Sequence, residues 1–255
     1  MDIKGKTALV AGGTSGLGLG VARDLAARGA NVVVVGRRAE LAARIAADLG
    51  NAIGVGADIA DSTAVAAAIE AAVERFGGIH INVNTAGVID TVRLVSESGE
   101  PTDVAAFTRV VDTNLVGTFN VMSQAAAVML RNEPDADGER GVIVNTSSDA
   151  AYDGTTGMAG YSASKAALVG MTLPAAREFA GRGIRVNTIV AGGFDTPIFD
   201  GYTTGDAIAE QVALFVNPRR LGRPEEFAAL AAHIVENGYF NAAAPRLDAG
   251  YRIPL

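Results

Sequence analysis

Short runs of apolar, mostly β-branched residues recur along the chain at 7–10, 32–35, 52–56, 79–83, 142–146 and 185–190, with a weaker one near 245–247. Between them lie longer, Ala-rich stretches with the three-to-four residue apolar spacing of a helix that buries one face. These cover 17–28, 39–49, 62–76, 107–130, 159–180 and 225–236. Alternating strand and helix signals predict a parallel sheet, because parallel neighbours need a crossover between them. The run 32–35 is apolar throughout, without polar alternation, which implies burial on both faces. The expected fold class is therefore α/β, a doubly wound parallel sheet of about seven strands with helices on both faces. Pro174 inside the fifth helical stretch predicts a kink near Gly170. Two connections are long enough to be functional, the polar 132–141 and the segment 194–218, which follows a strand end where ligands sit and is read as a substrate loop.

Composition narrows the class. At 255 residues the chain fits a single α/β domain spanning 1–255, and 49% hydrophobic with 19% charged residues excludes a disordered or low-complexity chain. Cysteine is absent, which removes disulfides, thiolate metal sites and cysteine nucleophiles. His80 and His233 form neither a pair at metal-ligand spacing nor a triad, so both read as structural and no metal is expected. A net charge of −7 argues against nucleic acid and for a small-molecule partner. The first six residues lack the features of a signal peptide. The uncharged run 113–130 carries Asn114, Asn120, Ser123 and Gln124, so it reads as a buried helix and not a membrane span. A cytoplasmic enzyme is expected. Of 21 basic residues only Lys4, Lys6 and Lys165 are lysines, a scarcity that a coding bias towards arginine explains.

Candidate chemistry begins at Gly12-Gly13-Thr14-Ser15-Gly16-Leu17-Gly18, which follows the first strand and opens into a helix. Such a turn lets the backbone approach a pyrophosphate and seat it on the positive helix end, which places Gly12, Ser15, Gly16, Leu17 and Gly18 around a dinucleotide. The second strand ends in Val35-Gly36-Arg37-Arg38, with no carboxylate to accept the ribose hydroxyls of NAD. Arg37 is suited to a 2′-phosphate, so NADP(H) is favoured; the alternative is two arginines in water at a helix start. Asp58 and Ile59 follow the third strand, where Asp58 either holds an adenine amino group or caps the next helix. Asn84, Thr85, Ala86 and Gly87 end the fourth strand, facing the cofactor or forming a plain turn.

Tyr161 and Lys165 stand four residues apart on a predicted helix and share one face. A phenol titrating near 10 is a poor base at neutral pH, and lowering it by about 3 units takes roughly 4 kcal/mol. One cation about 4 to 5 Å away supplies that at an effective dielectric near 20, so a single lysine suffices in principle. Ser148, just past a strand end, is placed to hydrogen-bond a substrate oxygen, with Ser147 and Ser164 as competing candidates.

At these residues the sequence resembles the short-chain dehydrogenase/reductase family over essentially its whole length. The match rests on the Gly12 to Gly18 turn, Asn84-Thr85-Ala86-Gly87, Asn114, Ser148, Tyr161-Ser162-Ala163-Ser164-Lys165 and Ile184-Arg185-Val186-Asn187. The resemblance implies a Rossmann fold, Tyr161 as general acid/base, and Lys165 lowering its pKa and binding the nicotinamide ribose. It further implies Ser148 polarising the substrate, Asn114 holding a water, and Phe194 and Thr196 beside the nicotinamide. Within the family the chain looks most like the type II 3-hydroxyacyl-CoA dehydrogenases, through Asn132-Glu133-Pro134-Asp135, Gly170-Met171-Thr172-Leu173-Pro174, Arg220-Leu221-Gly222-Arg223-Pro224 and Arg246-Leu247-Asp248. That likeness implies oxidation of a secondary alcohol on an acyl-CoA and a homotetramer built through 107–130 and 159–180. A 3-oxoacyl-carrier reductase, a hydroxysteroid dehydrogenase and an idle dinucleotide-binding scaffold are the alternatives. Type II enzymes usually carry Asp where Gly36 stands and use NAD(H), and they tend to have glutamines near the substrate where Thr155 and Met158 stand.

Overall fold

In a computed structural model that describes residues 1–199 and 205–253, seven parallel strands form one sheet. They are β1 (Thr7–Ala11), β2 (Asn31–Gly36), β3 (Ala52–Gly56), β4 (Ile81–Asn84), β5 (Gly141–Ser148), β6 (Ile184–Ala191) and β7 (Arg246–Leu247). The spatial order is β3-β2-β1-β4-β5-β6-β7, so the winding direction reverses between β1 and β4 and leaves a crevice at their carboxyl ends. Ala8 is in register with Val32 on one side and Ile81 on the other.

The missing polar alternation has a direct cause, because successive residues of one strand enter two different cores. Val10, Val32 and Val34 pack with α1 (Gly16–Ala27) and α8 (Pro224–Glu236), through Leu25, Phe227 and Ile234. Leu9, Val33 and Ile143 face the opposite side, against α3 (Ser62–Phe76) and α5 (Thr118–Met129), through Ile69, Val121 and Met129. Two further helices precede α5, namely α2 (Ala39–Leu49) and α4 (Val104–Val111).

The stretch 107–130 is not one regular helix. Between α4 and α5 the chain widens into a π-helical turn, Asp112–Gly117, which contains Asn114. Gly117 permits close packing there, since a Cβ on it would lie 2.7 Å from Ile59 Cγ1. Local widenings of this kind gather at functional sites. Helix α6 (Ala159–Glu178) continues through Pro174.

Segment 194–218 is less irregular than expected, since it contains a 3₁₀ turn, Pro197–Phe199, and α7 (Gly205–Ala213). No residue of α7 is buried. Residues 200–204, within that segment, lie outside the described residues. The polar connection 132–141 is structural: Asn132 donates to the carbonyls of Ile79 and Arg140, and Glu139 forms a buried ion pair with Arg185 Nε at 2.5 Å. It leads into the amino end of β5, away from the crevice. Among the described residues no helix is long and apolar enough to cross a membrane.

Candidate active site

The crevice holds a cleft of about 520 Å³, within the usual range for ligand sites. Its floor is the turn after β1. Gly12 has φ +83°, and a Cβ there would meet Ala86 N at 2.6 Å; one on Gly18 would meet the Gly12 carbonyl oxygen at 2.2 Å. The turn is anchored by the Gly12 and Gly13 amides, which donate to the Val35 carbonyl at 2.9 and 3.1 Å. Ser15, at the N-cap of α1, makes no side-chain capping bond, so the first-turn N–H groups are left for an anion. A cradle this bare of side chains fits a dinucleotide pyrophosphate.

Most of the residues read from sequence as cofactor contacts line this cleft: Gly12, Ser15, Gly16, Leu17, Gly18, Arg37, Asp58, Ile59, Thr85, Ala86, Gly87 and Thr196. Asp58 accepts the Ala60 N–H, while Asp61 is the residue that caps α3, which removes the capping alternative for Asp58. Thr14 and Arg38 line the cleft too, and a Cβ on Gly36 would lie 2.7 Å from Thr14 Cγ2. Thr14 therefore crowds the position where a ribose-binding acid would stand.

Asn84 is a correction. Its amide is buried within the sheet, donating to Asn82 Oδ1 at 2.8 Å and across to Asn145 Oδ1 on β5 at 2.9 Å, and it does not line the cleft. A strand-end asparagine looks available in sequence, but the neighbouring strand takes it up.

A second, smaller cavity continues from the first through Leu17, Thr85, Gly87, Thr196 and Ile198. Ser148, Tyr161, Lys165 and Phe194 converge on it. Ser148 ends β5, whereas Tyr161 and Lys165 occupy successive turns of α6, both buried. The three serines separate by their partners. Ser147 Oγ donates to the Lys165 carbonyl at 2.7 Å and Ser164 Oγ to the Tyr161 carbonyl at 2.7 Å, so both tie down the α6 backbone. Ser148 Oγ instead donates to Asp149 Oδ1 at 2.9 Å, and Ser148 lines the cavity with Tyr161, close enough for its hydroxyl to favour the phenolate.

Asn114 does not line either cavity. Its Oδ1 accepts the Val88 N–H at 2.8 Å, and its amide donates to the Val88 carbonyl and to Ser164 Oγ. It pins the π-helical turn to the segment after β4. Thr155 is another correction, since it is exposed and outside the cavity. Its carbonyl accepts the Met158 N–H, and this turn carries Met158 inward to the cavity wall in its place.

The electrostatics also depart from the expectation. Burial pushes the Tyr161 phenol up to about 12, and the charge of Asp149 adds to the rise. Lys165 does not offset this: its Nζ lies 5.8 Å from the ring centroid, donates to the Thr146 carbonyl at 2.9 Å, and is itself lowered to about 8 by burial. The lysine's field alone is therefore insufficient, because the desolvation that strengthens it also penalises the phenolate. Asp149 was missed from sequence; an acid directly after Ser148 was its only signal. The histidines sit elsewhere, with His80 Nδ1 accepting the Thr7 N–H and His233 beside Asn237.

A family model described as short chain dehydrogenase matches residues 6–206. The 3-hydroxyacyl-CoA dehydrogenase type-2 of Rattus norvegicus is 42% identical over 255 residues, spanning 99% of this chain and 97% of the relative. Its namesake from Drosophila melanogaster is 41% identical over 258 residues, spanning 98% and 99%. Among solved structures, that of 3-hydroxyacyl-CoA dehydrogenase type-2 from Mycobacterium avium has a TM-score of 0.93 and 40% identity, covering 98% of this chain and 97% of its own. The chain belongs to the short-chain dehydrogenase family and is an oxidoreductase acting on CH–OH groups.

Proposed function

We propose that the protein interconverts a secondary alcohol and a ketone on an acyl-CoA, as a 3-hydroxyacyl-CoA/3-oxoacyl-CoA dehydrogenase. The carrying observation is the convergence of Ser148, Tyr161 and Lys165 on a cavity continuous with the glycine cradle. The acyl-CoA substrate is supported by the names of relatives that align over nearly the whole chain. When bound, the nicotinamide cofactor supplies the hydride acceptor or donor and, oxidised, a positive charge beside the phenol. Tyr161 takes the hydroxyl proton in oxidation and returns it to the ketone oxygen in reduction. Ser148 orients the substrate oxygen against Tyr161. Lys165 holds positive charge below Tyr161 and offers its ammonium to the ribose hydroxyls. Asn114 keeps the π-helical turn and Val88 in place behind them. Thr196 and Phe194 close the cofactor side.

The cofactor reading is NADP(H). Arg37 and Arg38 flank the cleft after β2, and Thr14 crowds the position of an acid at Gly36. This arginine pair also favours a second reading, a reductase of 3-oxoacyl-carrier substrates. Initial rates with acetoacetyl-CoA and its carrier-protein counterpart, each with NADPH and NADH, test both. No turnover of either substrate removes the proposal, and a kcat/KM preference for NADH removes the NADP(H) reading.

The assembly reading is a homotetramer of the 25.9 kDa chain. Val104, Phe107, Val116 and Phe119 expose large apolar surface along α4, the π-helical turn and α5, as does Leu173 on α6. A solution mass near one chain by light scattering would exclude it.

A further inference from the structure

Ser148 has one hydroxyl hydrogen to donate, and two neighbours call on it. Its Oγ donates to Asp149 Oδ1 at 2.9 Å, while Tyr161, on α6, lines the same cavity as both and is close enough for the Ser148 hydrogen to favour its phenolate. Asp149 is 6% exposed, lines the substrate cavity, and forms no ion pair among the described residues. Its other hydrogen bond comes from the Ala150 N–H, at 2.8 Å. With the phenol neutral, Tyr161 keeps its own hydrogen and the Ser148 hydrogen serves the Asp149 carboxylate. Removing the phenol proton breaks the pattern. The phenolate then needs the Ser148 hydrogen, which strips the buried carboxylate of that donor and sets two negative charges on either side of one serine.

We infer that Asp149 is a positioning residue which, through Ser148, keeps Tyr161 in its proton-bearing form, so that the site readily delivers a proton to a ketone oxygen and accepts one from an alcohol only at higher pH. The inference rests on the roles proposed above for Tyr161 and Ser148. Other charges bear on the chain from every side. On α6, Lys165 favours the phenolate. From β7 and the residues after it, Arg246 favours the ionised Asp149, Asp248 opposes it, and Tyr251 feels the charges of Asp149 and Asp153. Arg246 does not neutralise Asp149 directly, because its guanidinium is bound to Asp153 at 2.7 Å and Asp248 at 2.5 Å. Burial holds the Asp149 carboxyl above its usual range, in keeping with a charge that is poorly solvated.

The test is Asp149→Asn, which removes the charge and keeps an oxygen that accepts from Ser148. Oxidation of 3-hydroxybutyryl-CoA is followed as kcat/KM against pH, and tyrosinate formation by ultraviolet difference absorbance with Tyr161→Phe as the reference. The rising limb of oxidation and the Tyr161 signal should both move down by about one pH unit, so that kcat/KM rises about tenfold below the limb. Asp149→Glu should keep the wild-type profile. Should Asp149→Asn fail to fold, Asp149→Ser carries the same expectation. Superimposable profiles for a folded, uncharged variant overturn the inference. If Tyr161→Phe stays active, it is the assignment of Tyr161 that fails; if Tyr161→Phe is inactive and Asp149→Asn shifts nothing, only the role of Asp149 fails.

Discussion

The two ends of the crevice recognise by opposite means. The cradle after β1 works by omission: glycines clear the space, backbone amides face it, and the charged groups at its rim, Arg37 and Arg38, are exposed. The cavity beyond β5 works by concentration, with Ser148, Asp149, Tyr161 and Lys165 all less than a tenth exposed. A group held at several points needs close approach more than reactivity. Proton transfer instead needs acidities moved away from their values in water, which desolvation achieves, though here it drives Tyr161 up to about 12. The cradle should therefore respond to volume and the cavity to proton inventory.

The largest effect should come from the cavity. Tyr161→Phe keeps the ring and removes the proton carrier, so kcat should fall by about a thousandfold with cofactor affinity unchanged; full turnover would break the distinction. Lys165→Arg keeps the charge but overfills a buried site at a cost of about 1–3 kcal/mol, and kcat/KM should drop by up to a hundredfold on that scale. Near-normal turnover would return the lone lysine to chance. In the cradle, Gly18→Ala should weaken cofactor binding by more than about tenfold, read by fluorescence titration, since its new methyl collides with the Gly12 carbonyl. Arg37→Ala should lower kcat/KM for NADPH by about tenfold, the worth of one charge-assisted hydrogen bond, and leave NADH nearly untouched; equal losses would refute the 2′-phosphate reading.

The smallest effect lies outside both regions. His80 is held neutral by burial, its pKa lowered from 6.5 to about 4, and it accepts the Thr7 N–H. Between those values the unfolded chain binds a proton that the fold refuses, so stability is full above pH 6.5 and falls as pH drops towards 4. His80→Gln should flatten this slope in thermal melts without altering cofactor affinity. An unchanged slope would assign acid sensitivity to other groups.

Much of this arrangement was legible in the chain. Strands buried on both faces carry unbroken apolar runs, as at Ala8–Ala11 in β1, Val32–Val35 in β2 and Val142–Val144 in β5, and the glycine turn announces itself by spacing. Boundaries that depend on distant packing did not: the π-helical turn at Asp112–Gly117 lies inside a continuous helical stretch with no Pro to mark it, and α7 buries nothing. Asn84 and Thr155 were misplaced for a related reason. Whether a polar side chain faces a cavity or a neighbouring strand is set by that neighbour, as Asn145 and Met158 show.

The sequence by itself determined the alternation of strand and helix, the cradle at Gly12 to Gly18, and the placing of Tyr161 and Lys165 on one helix face, because each follows from local periodicity. Only the tertiary structure decided which of Ser147, Ser148 and Ser164 meets the phenol, and that Asp149 stands behind it. Hydrogen-bond partners and desolvation are supplied by residues far along the chain. The acidity of Tyr161 is therefore a property of the packed molecule and cannot be read from the helix that carries it.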